Sequence, residues 1–121
     1  MSTYLKDVLV SHQEWLDSNG ESGEKADLSS GILQQADLHG ANLERADLNG
    51  ARLSVSDLML ANLKGANLSH ADLWMSDMKD TILEGADLRG ANLTEVTNLT
   101  AGQIQSAITD ESTQLPEGLT G

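Results

Sequence analysis

From Ala26 to Glu95 an apolar residue returns at every fifth place, and the residues between keep a fixed order. The centres are Leu28, Leu33, Leu38, Leu43, Leu48, Leu53, Leu58, Leu63, Leu68, Leu73, Met78, Leu83, Leu88 and Leu93. Two places before each centre stands a small residue: ten are Ala, and the others are Gly31, Ser56, Ser76 and Thr81. Immediately before the centre, Asp or Asn fills eleven of fourteen places, with Ile32, Arg52 and Ile82 as the exceptions. Outside this stretch the pattern changes to helical spacing. Leu5, Val8, Leu9, His12 and Leu16 follow the i, i+3, i+4 rule, with Trp15 beside them, and predict a helix from about Tyr4 to Ser18, stopped by Asn19-Gly20.

A period of five suits no regular element. On an α-helix, successive centres would sit about 140° apart and leave no apolar stripe. On a straight strand they would alternate between faces. All fourteen reach one interior only if the chain turns a corner in every pentad. The small residue and the centre, two apart, then face inward, the Asp or Asn between them faces out, and the last two residues make the bend. Gly holds the last place at Gly40, Gly50, Gly65, Gly85 and Gly90, where a type II turn needs positive φ. Four right-angle bends close a square coil of about twenty residues, and such coils pair in parallel at about 4.8 Å. Fourteen pentads predict an all-β solenoid of about 3.5 coils, a rod of about 17 Å on that spacing.

A solenoid exposes core and unpaired backbone at both ends and needs caps. The chain therefore divides into residues 1–25 (a helical cap and connecting loop), residues 26–95 (the repeats) and residues 96–121 (a second helical cap and a tail). In the last part "VTNLT" puts Asn98 where Leu belongs. Thr100 with Gln103 then forms a capping box for a helix expected over Ala101 to Ile108, with Ile104, Ala107 and Ile108 on one side. Leu115 is the expected anchor of an extended tail whose last residues fray. Trp15 is the largest apolar piece of the first lid.

Composition narrows the picture. There is no Phe and no Cys, so Leu and Ala fill a narrow interior, and disulfides, thiolate metal sites and a Cys nucleophile are excluded. Nineteen acids against seven bases leave −12, distributed as −3, −6 and −3 over the three parts. That charge argues against direct nucleic-acid binding and against anionic membranes. No signal peptide or membrane span is legible, and a cytoplasmic protein is expected.

These pentads resemble the pentapeptide-repeat family, whose motif is a small residue, Asp or Asn, Leu or Phe, and two variable positions. The resemblance implies a right-handed quadrilateral β-helix. The flanks "HQEWLDSNGESGEKADL" and "LTAGQIQSAITDESTQLP" are also similar to those of bacterial, often cyanobacterial, members, which implies a complete small member.

No catalytic chemistry is legible. His12, His39 and His70 lack metal-ligand spacing, and no glycine turn is followed by GK[ST]. Asp37, Asp57 and Asp77 stack on one face. Bonds to neighbouring backbone amides account for them, with a weak cation site as the alternative. No metal, cofactor or enzymatic activity is expected. Glu44, Lys64 and Glu84 form a charge ladder worth tenths of a kcal/mol per pair. More unusual are apolar residues at outward positions: Val55, Met59, Leu60, Trp74 and Met75, rimmed by Asp57, Lys79 and Asp80. They make a candidate interaction patch, unless a terminal segment covers it. The expected role is a non-enzymatic protein-interaction scaffold, with an unknown protein partner or self-association. The resemblance adds two alternatives: an acidic DNA mimic that binds DNA gyrase or topoisomerase, and a regulator in cyanobacterial physiology or differentiation.

Overall fold

The computed structural model describes residues 2–119, with helix α1 (Thr3–Asp17) before the repeats and helix α2 (Ala101–Ser106) after them. Between the helices the chain pairs with itself at intervals of twenty residues. Four columns of parallel bridges result: Asp27–Asp47–Asn67–Asp87, Ile32–Arg52–Asp72–Asn92, Asp37–Asp57–Asp77–Thr97 and Asn42–Asn62–Ile82. Four columns on a twenty-residue interval make each coil four-sided. The straight pieces contribute one bridging residue each, so among the described residues the ladders run across the coils and no continuous strand forms. The fourteen central side chains are all buried on the common axis, with the small residues packed between them.

Hydrogen-bond accounting explains why Asp or Asn precedes the centre. In the pentad from Ala61 to Gly65, the Ala61 N–H closes the turn on the Leu58 carbonyl (3.0 Å). Asn62 donates to Ala41 in the preceding coil (2.9 Å), and Leu63 and Gly65 donate to Ile82 and Glu84 in the following one (both 2.9 Å). Only the Lys64 N–H is left over, and the Asn62 Oδ1 accepts it at 3.0 Å. All eleven Asp and Asn residues at this place do the same for the amide two residues on, at 3.0–3.2 Å. Ile32 and Ile82 carry no acceptor and Arg52 only donors, so these three cannot. Asn62→Ala is therefore expected to lower stability by about 1 kcal/mol, and Ile32→Asn to raise it by a similar amount. Urea unfolding of the two variants checks both signs.

Where the small residue is polar, its hydroxyl is also used. Ser56, Ser76 and Thr81 are buried and donate to the carbonyls of Leu33, Leu53 and Leu58 at 3.1, 2.8 and 2.7 Å. The corners are more uniform than glycine placement suggests. All fourteen have positive φ, nine of them at non-glycine residues.

The ends hold the main differences from sequence expectation. Helix α1 starts one residue earlier than expected, because Ser2 caps it by accepting from the Leu5 N–H at 3.1 Å. Its buried residues are Leu5 and His12, whereas Trp15 is half-buried. Trp15 stacks on His12 with ring centroids 5.7 Å apart, and the Arg45 guanidinium lies 4.9 Å from its ring. Gly23 lets the connecting loop cross α1 closely: at φ +72, a Cβ there would collide with the Ser11 carbonyl oxygen and meet the Trp15 backbone nitrogen at 2.6 Å.

Helix α2 has the expected capping box, but it ends at Ser106 and does not reach Ile108. Ile108 instead continues the first column. Its N–H donates to Ala86 (2.8 Å) and its carbonyl accepts from Leu88 (2.7 Å). Two inter-coil bonds outweigh one more helical bond, so the backbone is extended already at Ala107. The Ile108 side chain points outward and is exposed, not on the apolar side of a helix. Gln114 extends the second column onto Asn92, with Leu115 half-buried against the core, so much of the tail is a further partial coil. The fraying expected of the last residues concerns Thr120 and Gly121, which lie outside the described residues.

Candidate interaction surface

The bridge register settles which outward side chains are neighbours. Val55 and Met75 are corner residues one coil apart, between the second and third faces, and the Val55 N–H donates to the Trp74 carbonyl at 2.8 Å. Met59 and Leu60 follow on the third face. Val55, Leu60, Trp74 and Met75 are 44, 54, 42 and 46% exposed, and Met59 is partly exposed. Neither α1 nor the described tail covers them. Of the other exposed large apolar residues, Ile82 stands on the fourth column, and Ile32 stands on the second face, two coils before the pentad of Trp74 and Met75.

Three members of this patch also hold an unfavourable backbone. Val55, Leu60 and Met75 sit at φ +59, +62 and +60, a region that disfavours side chains and β-branched ones most. Thirteen corners close with a bond from the amide three residues beyond the centre. The Val55 corner does not, and Ser56 donates instead to the Ser76 hydroxyl at 3.2 Å. Val55→Asn, which tolerates this conformation, is expected to stabilise the protein by about 0.5–1 kcal/mol. A thermal melt showing destabilisation would contradict the strain.

The electrostatics differ between faces. On the first face, Arg89 grips Asp87 through Nε and Nη2 at 2.9 and 2.8 Å, which holds the Asp87 carboxyl below the usual carboxylate range. Around the patch, the ion-pair partner of Asp57 among the described residues is the His39 ring, at 3.4 Å. Asp72, Asp77, Asp80 and Glu95 have no ion pair among the described residues. In the expected charge ladder, Lys64 reaches Glu84 at 4.0 Å, while Glu44 accepts from Asn62 and lies beside Arg45.

Asp37, Asp57 and Asp77 do stack in register, each with Oδ1 occupied by the amide two residues on. Among the described residues no group of three or more His, Asp or Glu is placed to hold a metal ion. Of the histidines, His39 and His70 are exposed and His12 is buried within the α1 contact.

The family profile for pentapeptide repeats matches residues 24–58 and 61–97, with eight copies. The chain belongs to the pentapeptide-repeat family. Members of this family form right-handed quadrilateral β-helices, which supplies the handedness. A pentapeptide-repeat protein of the Arabidopsis thaliana thylakoid lumen is 31% identical at a TM-score of 0.61, over 64% of this chain and 53% of its own. The present chain thus spans about half the length of that relative. A pentapeptide-repeat protein from Nostoc is 31% identical over 80% of this chain and 92% of its own, at a TM-score of 0.41. HetL, a pentapeptide-repeat protein from Nostoc involved in heterocyst differentiation regulation, is 33% identical over 77% and 43%, at 0.38. Comparison with curated proteins gives no match.

The corner strain and the leftover amide were not read from the sequence. The nine non-glycine residues at the fifth place of their pentads were the available signal for the first.

Proposed function

We propose that this pentapeptide-repeat protein is a non-enzymatic scaffold that binds a protein through Val55, Met59, Leu60, Trp74 and Met75. One observation carries the reading. Large apolar side chains are exposed together, three of them, Val55, Leu60 and Met75, at corners whose backbone would favour Gly or Asn. A fold under no other demand would lose both costs by substitution. Residues 26–95 are the rigid display body in this reading. Helix α1 and the partial coil after α2 close its ends against edge-to-edge growth.

A cytoplasmic location belongs to the same proposal. No helix among the described residues is long and apolar enough to cross a membrane.

Trp74→Ala combined with Met59→Ser tests the patch. The circular-dichroism spectrum and melting temperature are expected to stay close to those of the parent, while oligomeric state or partner capture changes. Unchanged assembly and unchanged capture remove the proposal.

The stacked aspartates favour a second reading, a DNA mimic acting on a type II topoisomerase. The charge is thin for that role: −6 over a rod of about 17 Å is one charge per ~3 Å, against about 1.7 Å for duplex DNA. A gyrase supercoiling assay that responds to the protein would favour this reading over the scaffold.

A further inference from the structure

We propose that the patch takes a cationic amphipathic segment of a partner protein, with apolar side chains flanked by lysine or arginine, and not a second copy of this chain. The inference rests on the reading that the patch is an interface and adds the chemistry of what occupies it.

Two carboxylates stand inside the apolar area. Asp57 and Asp77 are bridged in register, about 4.8 Å apart, between the Val55–Met75 corner and Met59. The Oδ1 of each accepts a backbone N–H, from Met59 at 3.0 Å and from Lys79 at 3.1 Å. Asp77 Oδ1 also accepts from the Asn98 amide at 3.0 Å. Neither carboxylate meets a lysine or arginine among the described residues. Covering Trp74 and Met75 with a neutral apolar partner would bury Asp77 without a cation and Asp57 with only the His39 ring beside it at 3.4 Å, which is costly. A second copy related by a twofold axis would set one aspartate pair against the other, on chains of −12 each. A lysine or arginine between apolar anchors neutralises the carboxylates.

The test uses three labelled peptides at physiological salt, with binding read by fluorescence anisotropy. One is a leucine–lysine helix with leucine along one face, one is its leucine–glutamate counterpart, and one is oligolysine. The proteins are the parent, Trp74→Ser, and Asp57→Asn with Asp77→Asn. Asparagine keeps the oxygen that accepts the backbone N–H, so the coil is preserved.

The leucine–lysine peptide is expected to bind the parent and to lose at least tenfold in affinity on each variant, with no binding of the leucine–glutamate peptide. The proposal is overturned if that peptide fails to bind, if the double asparagine variant binds it equally, or if oligolysine binds as tightly with the same dependence. Dimerisation of the parent in sedimentation, abolished by Trp74→Ser, overturns the partner chemistry and leaves the interface reading standing. If Trp74→Ser changes neither peptide binding nor assembly, both fall.

Discussion

Leu63→Ala is expected to lower the unfolding free energy by about 2–5 kcal/mol, towards the upper part of that range. Leu63 is fully buried in the middle of the stack, with Leu43 and Leu83 one coil to either side in the same column. The cost depends on whether surrounding atoms can collapse into the void. Here they are restrained, because the Leu63 pentad is tied to the coils before and after it by backbone hydrogen bonds. Leu63→Met should cost less than about 1.5 kcal/mol, since Met78 already serves as a centre and volume is conserved. Leu33→Ala, at a centre nearer the end and less completely buried, should fall between the two. Urea unfolding of all three gives the ranking. A near-neutral Leu63→Ala would contradict an interior filled by stacked leucines.

His12→Ala is expected to cost about 2–4 kcal/mol, because two buried backbone groups lose their partner together. The ring is completely buried, and it bridges α1 to the repeats. Nδ1 accepts the Ala26 N–H at 2.9 Å, which puts the ring proton on Nε2, where it donates to the Glu44 carbonyl at 2.8 Å. This arrangement requires the neutral imidazole, since a proton on Nδ1 would face another donor. Burial is the first cause that holds the His12 pKa below its ordinary value of 6.5, and the charges of Arg45 and Lys25 push the same way. The bond to the Glu44 carbonyl and the Glu44 carboxylate oppose it.

The sign follows. On acidification through about 6.5 the unfolded chain takes up a proton at His12 and the folded chain does not until the pH is lower. Stability is therefore complete above that value and declines as the pH falls towards the folded pKa. Unfolding free energies at pH 7.5 and 5.5, parent minus His12→Ala, isolate this contribution. A parent that gains stability on acidification relative to the variant would contradict the bridging role.

Much of the architecture was legible because it repeats locally. A small residue, a carboxylate or amide, and a leucine recur so often that one pentad's geometry decides the next, and inside and outside follow from the period. The helix caps were legible for the same reason: Thr100 and Gln103 are three residues apart and meet whatever surrounds them. The Asp and Asn places were visible, and their bonding to the amide two residues on needs no distant partner. The reason for their frequency was hidden, since the leftover amide emerges only when bonds to both neighbouring coils are counted.

What depended on distant residues was not legible. His12 reads in the sequence as one more apolar-face position of α1. Its role arises because Ala26 and Glu44 come together beneath it, 14 and 32 residues away. Ile108 reads as helical, until Ala86 and Leu88 offer it two bonds. The five patch residues could be named once the twenty-residue register was known, but their exposure was decided by where α1 and the tail lie. The sequence by itself determined a four-sided coil with leucine on its axis, since a five-residue period leaves no other way to bury every centre. Tertiary structure alone decided how the ends close and which apolar corners stay open, because those outcomes depend on which backbone groups meet across coils.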